Sequence, residues 1–422
     1  MTSTVHSWID EAPERWRRGR LKTLISDSAN GVWGNDPIND GSDVYCVRAA
    51  DFDRTRLRVR ADKLPLRHVD EKSLSQHLLR RGDLILEKSG GGEKQPVGAA
   101  VRFDLSEPAV CSNFCSRLVP RPDVDSRFLA YVFAAAYSKG LTQSNIKQTT
   151  GIQNLDAGSF LASPWAYPEG EEQRRIADFL DVEVGKINSL VAKKLEILAL
   201  LEERINSRVL GHIGASQLVN SVSGLPARPI RRLLIKVTRP AAPTDEVITA
   251  FRDGQVTARS LRRADGYTLT ASTEAQGQHV LVGDVVIHGL DGFAGAIGTS
   301  EAAGNCSPVY HVCVPRDGGD PAFYGRLLRV LAISGYLGLF ATSTRERAVD
   351  FRSWDLFGAI PIPSVALEEQ AEIGAWVRAV PPLRARVERS NALAAERRQA
   401  LITAAVTGQF DVSTASGRGV EE

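Results

Sequence analysis

The chain has 422 residues, 43% of them apolar and 24% charged, with a formal net charge of +2; this balance suits a folded chain of about two to four domains and excludes a disordered or fibrous one. A charge so near zero argues neither for nor against a polyanionic partner, so the distribution of basic residues has to decide. No apolar run reaches the ~18 residues a span needs, the amino-terminal stretch has no apolar signal core, and five cysteines, an odd number, suit reduced thiols; the expectation is a cytoplasmic protein without a membrane partner.

Residues 1–168 read as a first globular unit of short strands and turns, in which Gly31, Gly34, Pro37 and Gly41 punctuate a loop before a strand over Val44–Val47. Basic residues cluster early, with Arg15, Arg17, Arg18, Arg20 and Lys22 first and Arg48 further on. In the stretch from Asp53 to Arg60, arginines alternate with smaller residues, so an extended chain would point Arg54, Arg56, Arg58 and Arg60 to one face. Such a face is either a solvated edge strand or a phosphate-contacting surface. Next come Gly82-Asp83, a buried strand and a glycine-rich loop, with Lys88, Ser89, Gly90 and Lys94 as candidate DNA contacts; neither a P-loop nor a dinucleotide fingerprint is present. Cys111 and Cys115 are four apart, but no His cluster completes a ligand set, so no metal is expected. Ser112 and Asn113 beside them, and Lys147 and Gln148 after a helix over Phe128–Tyr137, join the candidate contacts; amides and hydroxyls there read base edges or cap helices.

From Glu171 to Val209 the chain runs 39 residues without a proline. Leu180, Val184, Ile187, Val191, Leu198, Leu201 and Ile205 fall at steps of four and three, with Lys194 in one seam position, which predicts a coiled-coil helix. At 1.5 Å per residue it is roughly 58 Å long, too long for one core to cover. It therefore reads as a spacer, in a helical segment placed at 169–213.

After a Ser-, Gly- and Pro-rich linker at 214–228, the pattern repeats about two hundred residues on. A second globe at 229–365 carries Gly283-Asp284, a strand, and a loop with His288 and Asp291; Cys306-Ser307 precedes Val314-Pro315 as Cys111-Ser112 precedes Val119-Pro120. Its candidate contacts are Arg252, Arg259, Arg262, His288, Asp291, Ser307, Arg345 and Arg347, with Arg263 and Arg352 in the same basic clusters. The second helix, at 366–410, repeats Glu171-Glu172-Gln173 as Glu368-Glu369-Gln370. Pro381-Pro382 is expected to kink or break it. The tail at 411–422 is polar and expected to be disordered.

The whole is an α/β (α+β) chain with a pseudo-two-fold internal repeat: two similar globes separated by two long helices packed as an antiparallel coiled coil. Two divergent readers at a fixed separation suit duplex DNA, the arginines supplying phosphate contacts. Other readings are a protein-interaction scaffold and a nuclease built on Asp53, Asp70 and Lys72. The nuclease triplet is a common chance spacing and more simply a surface pair. His288 beside Asp291 likewise reads as a loop pair or a base contact, so no catalytic residue is assigned.

The residues that repeat resemble the specificity subunits of type I restriction-modification systems over nearly the whole chain. The resemblance is carried by Gly82-Asp83-Leu84-Ile85-Leu86, by Glu171-Glu172-Gln173-Arg174-Arg175-Ile176-Ala177, by Pro361-Ile362-Pro363 before Glu368-Glu369-Gln370, and by Glu396-Arg397 through Thr407-Gly408-Gln409. It implies two target-recognition domains, each reading half of a bipartite double-stranded DNA site, and an antiparallel helical spacer that docks two methyltransferase subunits. Two motor-nuclease subunits join for restriction. S-adenosylmethionine, ATP and magnesium then belong to those partners, with no cofactor in this chain. Trp165-Ala166-Tyr167-Pro168 stands where the pattern has Pro-x-Pro before the first helix.

Overall fold

The computed structural model describes residues 7–92, 95–149, 152–213, 227–242, 246–262, 277–340 and 351–412. Most of the predicted linker and the tail beyond Val412 lie outside them. The chain forms two compact units, 1–192 with 390–422 and 193–389. Each unit thus takes one globe and part of each long helix.

In the first unit β1 (Arg17–Arg20) leads through a short turn of helix into β2 (Ile25–Asn30). Then follow β3 (Leu84–Glu87), β4 (Ala100–Arg102), β5 (Cys115–Pro120), α1 (Ser126–Ser138), β6 (Pro164–Tyr167) and α2 (Gly170–Ile213). The sheet runs β2-β5-β3-β4, antiparallel throughout, and the hairpin strands Arg58–Val59 and Phe52–Asp53 extend it beyond β4. The predicted strand Val44–Val47 forms too and pairs parallel with Ala109–Cys111. Alternation along β3 sends Leu84 and Leu86 toward Phe128, Leu129 and Phe133 of α1, while Ile85 packs with Val101 on the other face.

The second unit repeats this plan with β7 (Ala227–Pro229), β8 (Leu234–Val237), β9 (Val285–His288), β10 (Ile297–Thr299), β11 (Tyr310–Pro315), α3 (Pro321–Ile333), β12 (Pro361–Pro363) and α4 (Leu367–Thr407). Its sheet order, β8-β11-β9-β10, matches β2-β5-β3-β4 strand for strand. The strand pair β7–β12 also matches β1–β6, so Pro164–Tyr167 does the work of Pro361–Pro363 despite its different sequence.

Two glycines are required by this plan. Gly82 has φ +100° and Gly283 has φ +92°, a region that L side chains avoid, and each turns the chain into the central strand. The aspartate after each is buried and anchored: Asp83 accepts from the Arg80 amide and from Arg117 at 2.7 Å, and Asp284 accepts from the Leu281 amide and pairs with Arg239. The partner arginine comes from β5 in one unit and from just after β8 in the other, so the buried carboxylate is kept while its counter-charge has changed strand.

The helix α2 is 44 residues long, running past both ends of the Glu171–Val209 stretch and staying within the predicted segment 169–213. Its seam is legible in burial: Leu180, Val184 and Ile205 are buried and Ile187, Val191, Leu198 and Leu201 half-buried, whereas Leu190, Ile197 and Leu200 are 52%, 59% and 56% exposed. In the first unit α2 meets the end of α4, with Asn188 accepting from Arg398 at 3.1 Å and the Phe179 and Phe410 rings 5.5 Å apart. In the second, Glu202 accepts from Arg384 at 3.0 Å and Arg208 pairs with Glu372 at 3.7 Å. Partner numbers fall as α2 numbers rise, so the pairing is antiparallel within each unit.

Of the expected kink or break at Pro381-Pro382, the break is corrected: α4 is one helix through both prolines. Each proline removes one i→i−4 donor, but the surrounding turns are held by contacts on both sides, Arg378 to Asp320 at 2.8 Å and Arg384 to Glu202. Among the described residues no helix is long and apolar enough to cross a membrane.

Candidate nucleic-acid interface

In the first unit the end of β3 brings several predicted residues together. The Lys88 ammonium donates to Asn30 at 2.7 Å, Ser89 donates to Asn154 at 2.6 Å, and the backbone of Ser89-Gly90 pairs with Gln153-Asn154. The amides of Lys88 and Ser89 both donate to the Phe114 carbonyl, which ties this loop to the turn carrying exposed Asn113 and Phe114. The result is an apex of amides, a hydroxyl, a lysine and an exposed aromatic ring, the mixture that reads base edges and stacks. Asn30, Phe114 and Asn154 were not among the sequence candidates; they come from three separate segments, so no local motif marks them. Ser112, which was a candidate, is buried with its hydroxyl on the Cys115 sulfur at 3.8 Å and is out of reach of a ligand.

The arginine face expected over Asp53–Arg60 is corrected. The segment is a hairpin: Asp53 accepts from the amides of Thr55 and Arg56, and Leu57 turns at φ +55°. The four arginines consequently diverge. Arg54 pairs with buried Glu87 at 2.8 Å, Arg58 with Asp104 at 3.3 Å, Arg56 lies 3.9 Å from Asp53, and Arg60 donates to the Ala50 carbonyl. Burial pushes the Glu87 carboxyl above its ordinary value while Arg54 pulls it back. Arg48 is likewise spent on a forked pair with Asp51 at 2.9 and 2.8 Å, and Lys147 holds Asp156 at 2.8 Å. Of the earlier cluster, Arg17 pairs with Glu169 between exposed side chains, Arg18 donates to the carbonyls of Trp16 and Ala12, and Lys22 is exposed.

In the second unit the matching apex holds His288. Its Nδ1 accepts from the amides of Leu290 and Asp291 at 3.1 and 3.0 Å, so the neutral ring carries its proton on Nε2. Burial holds the imidazole below its usual pKa, which keeps it neutral against the pull of Asp291. Asp291 is paired with Arg252 at 2.9 Å, and Arg262 with Asp253 at 2.9 Å over the Phe251 ring. Ser307 accepts weakly from the Val309 amide at 3.4 Å, Arg259 is half-buried, and Gly289 donates to the Val309 carbonyl as Lys88 and Ser89 do to Phe114. Lys94, Arg345, Arg347 and the side chain of Gln148 lie outside the described residues, as does Arg263.

Sequence reading missed one basic feature. Arg228, Arg231, Arg232, Lys236 and Arg316 line an open hollow of about 1110 Å³, with Trp354 in its wall and, among the described residues, Asp317 as its one acid. Among the described residues none of these five cations makes an ion pair, and Arg316 donates instead to the Arg231 carbonyl. The repeat was the available signal. Arg316 donates from its amide to the Leu233 carbonyl as Arg121 does to Leu24, so the hollow stands where Arg17, Arg18 and Lys22 stand in the first unit.

The suggested nuclease residues have structural work. Asp53 closes the hairpin turn and Asp70 caps the helix Glu71–His77 through the Ser73 amide. Among the described residues no group of three or more His, Cys, Asp or Glu side chains is placed to hold a metal ion.

No protein-family model matches the chain, and no curated protein matches its sequence. Solved structures do. A chain from a structural study of complex assembly and conformational transition of the type I R-M system is 17% identical with a TM-score of 0.54, over 94% of this chain and 99% of that one. The HsdS subunit from Thermoanaerobacter tengcongensis is 15% identical with a TM-score of 0.46, over 94% and 98%. The type I restriction-modification S subunit from M. genitalium is 13% identical with a TM-score of 0.46, over 93% and 96%. The chain shares its fold with the chain from that study of the type I R-M system.

Proposed function

We propose that this chain is the specificity subunit of a type I restriction-modification complex, binding duplex DNA without chemistry of its own. Each globe reads one half of a bipartite site, and the helices dock two methyltransferase subunits, with two motor-nuclease subunits joining for restriction. The observation that carries the reading is the duplication: the same sheet order and Gly-Asp turn occur in both units, each joined to parts of both long helices. A repeated scaffold whose apices differ, Lys88 and Ser89 in one and His288 in the other, is what two readers of different short sequences require. The cations of the hollow, which make no ion pair among the described residues, support phosphate contact, and the exposed Leu190, Ile197 and Leu200 on α2 support protein docking. The neighbour's subject, complex assembly of the type I R-M system, is in keeping with partner subunits.

The test is methylome sequencing of the host with and without the gene, followed by exchange of residues 229–365 for the equivalent domain of a relative. A bipartite methylated motif should vanish on deletion, and the exchange should alter one half of it alone. No motif lost on deletion, or both halves changing together, would overturn the reading.

A further inference from the structure

The second unit contains a cavity of about 420 Å³ between α3, β10 and α4, within the range of small-molecule sites. Its walls include Val282, Ile297, Val377, Val380 and Pro381. The corresponding positions of the first unit carry different groups. The offset relating Asp125 to Asp320 places Tyr131 where Arg326 stands, and Tyr131 donates to Asp181 at 2.8 Å. The offset relating Gln173 to Gln370 places Leu180 and Val184 where Val377 and Pro381 stand, and both are buried in that unit's core.

Charge in the cavity is uneven. Arg326 and Arg384 share the single carboxylate of Glu202, and Arg378 is held by Asp320. Asp253 is taken by Arg262 and Glu301 by Gln255. Arg329 is left: among the described residues it makes no ion pair, and its Nε is buried without a hydrogen-bond partner. The Arg329 side chain is half-buried, with Glu202 and Asp253 acting on it through space but not paired to it, and a carboxylate in the cavity would take forked hydrogen bonds from the outer nitrogens of its guanidinium.

We propose that this cavity binds a small organic monoanion, a carboxylate head at Arg329 on an apolar body against the Val282, Ile297 and Val380 walls. Both parts matter: the guanidinium selects charge, and the apolar walls select against a bare inorganic anion.

The experiment is calorimetric titration of the full-length chain, without DNA, using hexanoate, hexanol and inorganic phosphate as probes. Hexanoate should bind at one site, about tenfold or more tighter than either hexanol or phosphate. Arg329→Met should lose that preference while melting no lower than the parent chain, since it breaks no ion pair, and Arg329→Lys should keep part of it. Equal binding of hexanoate and hexanol, no binding of hexanoate, or unchanged hexanoate affinity in a folded Arg329→Met would each overturn the proposal. The comparison of the three probes on the unaltered chain decides even where a variant does not fold.

Discussion

The side-chain oxygen of Gln173 accepts a hydrogen bond from the backbone amide of Asp125 at 3.0 Å, while its Nε2 donates to the Pro168 carbonyl at 2.9 Å. Gln370 repeats both bonds, to Asp320 at 3.1 Å and to Val365 at 2.7 Å. Asp125 and Asp320 in turn cap α1 and α3. The third residue of the Glu-Glu-Gln motif is therefore a buried clamp that fixes each long helix to the cap of the helix in its own globe. Replacing either glutamine by leucine leaves a buried donor and acceptor unpaired, which costs roughly 1 to 3 kcal/mol. Urea melts of Gln173→Leu and Gln370→Leu should each register a loss of that size; no loss in either would show the clamp to be incidental.

Removal of Arg231, Arg232 and Arg316 together should weaken binding to every duplex alike. The slope of log affinity against log salt should fall by about one for each phosphate that is no longer neutralised. Arg48→Ala serves as the contrast, since its guanidinium is already held by Asp51. It should leave the salt slope unchanged. Equal slopes for the triple variant and the parent would place the hollow away from DNA.

If α2 sets the spacing of the half-sites, a heptad inserted between Val191 and Leu198 adds about 10.5 Å and keeps the seam in register. The spacer between half-sites should then lengthen by up to about three base pairs. Selection of bound motifs from a random duplex pool measures this directly, and an insert that folds and binds with the original spacer would mean that α2 is not the ruler.

His311 is buried with Nε2 donating to the Phe351 carbonyl at 2.6 Å, against Trp354 and Phe357, and burial lowers its pKa from 6.5, with Lys236 a lesser influence in the same direction. The unfolded chain then binds the proton more readily than the folded one, so this contribution to stability is full above about 6.5 and is lost as pH falls. Melting temperature should drop between neutral and mildly acid pH, and His311→Gln should flatten that dependence relative to the parent. A variant with the parent's pH slope would assign the dependence to other groups.

All five cysteines are buried thiols. Burial pushes Cys46 up to about 11 and Cys115 and Cys306 up to about 12, with Cys111 and Cys313 raised for the same reason. With so little thiolate present, a maleimide should label none of them at neutral pH in the folded chain and all of them in denaturant. Rapid native labelling would mean that the core opens locally.

Repeats and periodicity were readable along the chain because each is a property of neighbouring residues. The seam from Leu180 to Ile205, the paired Gly-Asp turns and the Glu-Glu-Gln motifs all depend on helical or strand spacing, which sequence carries directly. The fate of the arginines was not readable. Whether Arg54 faces solvent or Glu87 is decided by a strand thirty-three positions away, and Asp53 turns the segment into a hairpin where alternation suggested an extended strand. In the same way Arg228, Arg231, Arg232, Lys236 and Arg316 form one basic surface only because β8 lies beside β11. Local pattern determined the elements and their duplication; which charges stay unpaired was left to the tertiary structure, because a counter-charge acts through space and not along the chain.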